Sequence, residues 1–120
     1  MSQNKILIVE DEKRWQRYFS EAVKKVGLIP LVASTLREAD ELFGENIYIV
    51  AVIMDGCLSS NEPNSMWLVR KIRNCPSFSG KPIIGATSHP LGKKLLMNAG
   101  CTCVHQKSEV ERRLREILGL

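Results

Sequence analysis

Tyr48-Ile49-Val50-Ala51-Val52-Ile53-Met54-Asp55 is a run of seven apolar residues closed by one carboxylate. Such a run has no polar face to offer water, so it predicts a central strand of a parallel sheet, covered on both sides. Asp55 then stands at the strand's carboxyl end. Reading outward, the same logic finds four more short apolar runs: Ile6-Leu7-Ile8-Val9, Leu28 to Val32, Pro82 to Ala86 and Cys101 to Gln106. Pro30 lacks an amide donor and suits the second of these to a sheet edge.

Amphipathic stretches separate the runs. After Asp11, Trp15, Phe19, Ala22, Val23 and Val26 fall on one helical face until Gly27 stops it. Thr35 with Glu38 forms a capping-box pattern, followed by an inward stripe of Leu36, Ala39, Leu42 and Phe43, with Gly44 expected to close the helix. Gly56 to Asn64 is rich in Ser, Asn, Gly and Pro and reads as a loop, and Met66 to Arg73 resumes helical spacing. Leu91 to Ala99 predicts a fourth helix ending at Gly100. Ser108 with Glu111 predicts another capping box, ahead of Val110, Leu114, Ile117 and Leu118. Strands alternating with crossover helices make an α/β chain whose sheet carries helices on both faces.

The 120 residues fit one domain, 1–120, with one hydrophobic core. Charged residues at 25% and apolar ones at 44% are ordinary globular values. No apolar run approaches the roughly 18 residues of a membrane span, and the N-terminus lacks the layout of a signal peptide. The expectation is a cytoplasmic protein. Cysteines 57, 75, 101 and 103 lack zinc-ligand spacing and are expected to be reduced packing residues. On a strand, Cys101 and Cys103 would share one face. A net charge of +4 could suit an acidic partner or nucleic acid, but the basic residues are dispersed with few aromatics among them. A solvated mixed-charge surface is preferred, and direct nucleic-acid binding is not expected.

In open α/β sheets ligands bind outside the carboxyl ends of the strands, near the point where strand order reverses. The polar residues of this chain fall at those ends: Glu10 and Asp11 after strand one, Asp55 after strand three, Thr87 after strand four, Lys107 after strand five. Crowded carboxylates repel by about 4 kcal/mol per pair at 4 Å with an effective dielectric near 20, so the cluster calls for a cation. Oxygen ligands suit a hard ion, and Mg2+ commonly takes one or two carboxylates, waters and a phosphate oxygen. Asp55 would then serve as a carboxylate nucleophile toward phosphorus, with Mg2+ and the Lys107 ammonium stabilising the transferred group.

Over essentially its whole length the chain resembles the receiver domains of bacterial response regulators. Lys5-Ile6-Leu7-Ile8-Val9-Glu10-Asp11-Glu12 is similar to the family's acidic motif, Met54-Asp55 to its phosphoacceptor, Ala86-Thr87-Ser88 to its switch hydroxyl, Ala99-Gly100 to the end of its fourth helix, and Lys107 to its lysine. The resemblance implies a flavodoxin-like, doubly wound (βα)5 fold with a five-stranded parallel sheet of order 2-1-3-4-5. It also implies Mg2+ held by Asp11, Asp55 and the backbone carbonyl of Cys57, with Glu10 acting through water. The implied role is a phosphorelay receiver, not a classical enzyme, loaded on Asp55 by a histidine kinase or histidine phosphotransferase. It would switch binding to a downstream protein as a monomer or weak dimer; for a chain that acts without an output domain, that binding would run through the fourth and fifth helices and the strand between them.

The chain also departs from the family's pattern. Gly56-Cys57-Leu58 replaces the usual Pro-containing turn, and Ser59 to Ser65 makes a longer loop. Lys107 precedes Ser108 instead of a proline with a cis bond; cis at a non-proline costs about 2.5–4 kcal/mol, which favours trans. Val104 occupies the aromatic switch position. A hydrogen bond from Thr87 to phosphate supplies about 1.5–3 kcal/mol, short of the roughly 5.5 kcal/mol that moves a population from 1:99 to 99:1. These departures motivate the alternative of a pseudo-receiver, a phosphorylation-independent interaction module. A metal-dependent phosphotransferase or nuclease would want a second aspartate near Asp55, which Gly56 and Cys57 do not provide. Plainer readings stand beside the functional ones: Asp11 as a helix cap, Asp55 as a turn residue, Thr87 and Lys107 as strand-end polars, and His89 and His105 as loop or surface residues. Trp15 and Trp67 are read as helix packing or a partial surface patch.

Overall fold

The computed structural model describes residues 3–120. Five parallel strands form one sheet: β1 (Lys5–Val9), β2 (Ile29–Ala33), β3 (Ile49–Asp55), β4 (Ile83–Ala86) and β5 (Cys103–His105), in the order β2-β1-β3-β4-β5. The order reverses between β1 and β3, which opens a crevice at their carboxyl ends. Five α-helices cover the two faces: α1 (Lys13–Lys25), α2 (Leu36–Glu45), α3 (Met66–Arg73), α4 (Gly92–Ala99) and α5 (Val110–Leu118). Short 3-10 turns occupy Pro76–Phe78 and Lys107–Glu109.

Because successive strand side chains point to opposite faces, the continuous apolar runs feed two cores at once. Leu7, Val9, Val52, Met54 and Ile83 pack with Ala39, Leu68, Val69 and Leu96 on the face of α2, α3 and α4. Ile6, Ile8, Ala51, Ile53 and Ile84 pack with Phe19, Val23, Val110 and Leu114 on the face of α1 and α5. β1 is paired on both sides, with Val9 level with Ala33 of β2 and Met54 of β3. Glu10 and Asp55 therefore emerge side by side. Pro30 lies on edge strand β2, where its missing donor breaks no central ladder.

The expected helix ends hold at some points and fail at others. Gly27 at φ 82° closes α1, its N–H bonding the Lys24 carbonyl while the Leu28 N–H bonds that of Val23. Thr35 caps α2 by accepting from the Glu38 N–H at 3.0 Å, and the Glu38 carboxylate returns to the Ser34 N–H at 2.7 Å. Gly44, expected to close that helix, lies within it. The Asn46 side chain bonds the Leu42 carbonyl at 2.8 Å and supplies the terminus instead.

β5 is shorter than the Cys101–Gln106 run predicts. The Cys101 N–H is engaged by the Leu96 carbonyl at the end of α4, so the strand starts later. For the same reason Cys101 and Cys103 do not share a face: Cys101 enters the core beside α4, and Cys103 packs toward α1 and α5. All four cysteines are free thiols. Ser108 forms no capping box with Glu111, because it sits inside the Lys107–Glu109 turn and α5 begins after Glu109 without a side-chain cap. No helix among the described residues is long and apolar enough to cross a membrane.

Candidate functional site

Glu10 follows β1 and Asp55 ends β3, and both are buried by the strands and helices around them. Asp11, one residue further along, turns outward and remains partly exposed. One carboxylate oxygen from each of the three lies within 4.8 Å of the others. Lys107, entering from the end of β5, places its Nζ 2.7 Å from Glu10 Oε1 and 3.4 Å from Asp55 Oδ2. The Glu10 contact is ionic, since the approach lies outside hydrogen-bond angles. Four of the strand-end residues thus meet at one place, and Thr87 lines the same cleft of about 770 Å³ with Cys57, Ser59, His89 and Trp15.

Burial dominates the electrostatics. It pushes the Glu10 carboxyl up to about 7, against the opposing pull of Lys107 and the Glu12 N–H. Asp55 is raised for the same reason, with the Cys57 N–H and Lys107 working against the shift. In Asp11 the burial effect is outweighed by hydrogen bonds, led by the Ser59 hydroxyl, and its carboxyl is lowered. Lys107 is raised: desolvation works against its charge, but the contacts with Glu10 and Asp55 prevail. The ammonium thus stays charged, and Glu10 is the member of the pair that takes up a proton near neutrality.

The plainer readings can now be weighed on geometry. Asp11 does not cap α1, whose cap position is Glu12 without a side-chain bond; it accepts from Ser59 at 2.9 Å. Asp55 Oδ1 does accept from the Cys57 N–H at 3.1 Å, so the turn reading and the site reading coexist in one side chain. The Thr87 hydroxyl accepts from the His89 N–H at 3.1 Å. His89 faces Glu62 at 3.6 Å across the cleft mouth, and Val104 is buried on β5. None of the described peptide bonds is cis, so Lys107-Ser108 is trans.

Several contributors escaped the sequence reading. Asn64 staples the β3–α3 loop, accepting from the Leu58 N–H at 2.8 Å and donating to the Leu58 carbonyl at 2.7 Å. Ser59, at φ 52°, turns its hydroxyl onto Asp11. Gly92 leaves room for Thr87: a Cβ there would lie 2.6 Å from the Thr87 methyl. Trp15, read as helix packing or a partial surface patch, lines the cleft as well. Ser59 and Asn64 had a signal in the sequence as turn-forming residue types and Trp15 as part of a helical period, but nothing in their spacing gave partners.

No family model and no curated protein matches the chain. Solved structures do. The receiver domain of a sensor histidine kinase from Pseudomonas aeruginosa PAO1, with magnesium coordinated in its active-site cleft, is similar at TM-score 0.79 and 22% identity, covering 99% of this chain and 100% of that one. The fold is that of a receiver domain. Chemotaxis protein CheY4 of Vibrio cholerae shares the receiver fold at TM-score 0.78 and 19% identity, over 98% of this chain and 100% of its own. A two-component response regulator from Clostridium difficile does so at TM-score 0.78 and 21% identity, over 98% and 97%.

Proposed function

We propose that this chain works as a receiver, taking a phosphoryl group onto Asp55 from a histidine kinase or histidine phosphotransferase and changing its binding to a downstream protein. The observation that carries the reading is the setting of Asp55: a buried carboxylate at a strand end, 3.4 Å from a lysine and flanked by two further acids. Cys57 N–H fixes Oδ1, and Oδ2, more loosely held by Lys107 at 3.4 Å, would be the oxygen that attacks phosphorus. In that step the new O–P bond forms as the donor's bond to phosphorus breaks, and the donor keeps the released electron pair. Lys107 would follow the charge onto the phosphoryl oxygens, and the Thr87 hydroxyl, which accepts from His89, still has its proton to donate.

The three clustered carboxylates, with no nitrogen or sulfur donor among them, fit a hard divalent ion. Asp11, Asp55 and the Cys57 carbonyl would hold Mg2+, with Glu10 reached through water. Bound there, the ion supplies charge neutralisation for the phosphoryl oxygens. In this reading the protein is cytoplasmic, and its only chemistry is phosphate uptake and loss on itself. The alternative, a pseudo-receiver that binds partners without phosphate, draws on Lys107 lying nearer Glu10 than Asp55. Intact-protein mass after incubation with Mg2+ and acetyl phosphate separates the two. The receiver reading expects one added phosphate that is lost in Asp55→Asn; no uptake by the folded parent would favour the pseudo-receiver.

A further inference from the structure

Lys107 leaves a three-residue edge strand through a 3-10 turn, without the proline that the resemblance leads one to expect after it. Its backbone is therefore weakly constrained by β5, yet its ammonium reaches into the acid cluster. Helix α1 accounts for the difference. Its residues Trp15 and Tyr18, three apart and so on one face, reach the lysine loop at two points. The Trp15 ring lies under the ammonium, 5.7 Å from Nζ to the ring centroid. The Tyr18 hydroxyl donates to the Ser108 carbonyl at 2.8 Å, fixing the Ser108–Glu109 peptide, one peptide beyond the Lys107–Ser108 bond.

Both rings are anchored in turn. Trp15 stacks on buried Phe19 at 5.9 Å and 28°, and meets Tyr18 edge-on at 5.2 Å. The exposed side of the site adds Arg14, whose guanidinium stands 5.4 Å from the same indole. One ring thus faces two cations, with Lys107 between it and the carboxylates. An indole face attracts a cation without offering a proton acceptor, so it can hold the ammonium while leaving its donors free for oxygen.

We propose that Trp15 and Tyr18 are positioning residues for Lys107, an aromatic platform on α1 that does the work a rigid lysine-proline turn would otherwise do. The inference rests on the phosphoacceptor reading for its consequence in chemistry, but not for its geometry. Without Trp15 the ammonium, already 2.7 Å from Glu10, loses the contact that keeps it within 3.4 Å of Asp55, so phosphate transfer slows while the acid cluster keeps its affinity for Mg2+.

The test compares the parent with Trp15→Leu, Trp15→Phe and Tyr18→Phe, each checked for an unchanged circular dichroism spectrum. In Mg2+ and acetyl phosphate, Trp15→Leu is expected to take up phosphate roughly fivefold more slowly, with Trp15→Phe recovering most of the loss. The Mg2+ concentration for half-maximal rate stays at the parental value in both. Tyr18→Phe is expected to slow uptake by about threefold. Independently of phosphate, NMR should show the Lys107 ε-methylene protons shifted upfield by the indole ring in the parent and released in Trp15→Leu. Parental rates in Trp15→Leu, or unshifted Lys107 protons in the parent, would overturn the platform. A parent that takes no phosphate but retains the shifted Lys107 signal would sink the receiver reading and leave the platform standing.

Discussion

The two halves of the site are built by different means. The acidic half, Glu10 and Asp55, rides on β1 and β3, each hydrogen-bonded to a strand on both sides and buried on both faces. Its geometry follows from backbone pairing, and a side-chain change nearby has little leverage over where those carboxylates stand. The basic half, Lys107, hangs from β5, an edge strand of three residues. Its position depends on side chains reaching across from α1. A chain can therefore keep the acid half of such a site intact while replacing the elements that orient its counter-charge.

The substitution expected to strike hardest at this division is Lys107→Met. It removes the one ammonium found, among the described residues, against Glu10 and Asp55 and leaves two buried acids uncompensated, a change that typically costs about 3–5 kcal/mol. Protonation of the acids offsets part of this, so the metal-free loss should be largest above neutral pH and should shrink when Mg2+ is added. Urea denaturation at pH 8 with and without Mg2+ measures both. An unchanged midpoint without metal would mean that the ammonium does not hold the acidic half together.

Next in size is the pH response of the metal-free protein. Glu10 is raised from an ordinary 4.5 to about 7, so between these values the folded state carries a proton that the unfolded state lacks. Unfolding then releases that proton, and stability falls as pH rises through this window, by on the order of 1–3 kcal/mol. Asp55 is shifted in the same direction and adds to the slope; Asp11, lowered, favours the folded state as pH rises through a more acidic range. Glu10→Gln should flatten the curve and make the protein more stable than the parent at pH 8. A parent whose stability rises from pH 5 to pH 8 without metal would show that Lys107, not burial, governs Glu10.

The same division explains what could be read from the sequence. The runs ending in Glu10 and Asp55 were legible because a strand buried on both faces must be apolar throughout, and that pattern is local. The Thr35–Glu38 cap was legible for the same reason. The limits of β5 were not, because the turn through Gly100 that ends α4 takes the Cys101 N–H onto the Leu96 carbonyl, a local competition that the apolar pattern of the run does not record. Trp15 gave a correct helical periodicity but no sign that the residue lies under Lys107, since that depends on how α1 and the β5 exit meet. Ser59 and Asn64 sit in a loop, where hydrogen bonds follow no period at all.

The smallest effects belong to the β3–α3 loop that overhangs the acidic half, and two substitutions there distinguish what holds it. Asn64 makes two short bonds to the backbone of Leu58, and its own N–H bonds the Gly56 carbonyl at 2.9 Å. Asn64→Ala keeps the last of these and loses the side-chain pair, leaving the partly buried Leu58 groups without partners, which should cost about 1–2 kcal/mol. Glu62 faces His89 at 3.6 Å but is 79% exposed, and exposed pairs contribute about 0–1 kcal/mol. Glu62→Gln should therefore shift the thermal midpoint by about 4 °C at most and leave phosphate uptake within about twofold of the parent. If Glu62→Gln proved the costlier of the two, the loop would be held at its tip by charge, and its closeness to Asp11 would depend on salt in a way that hydrogen bonds to Leu58 do not allow.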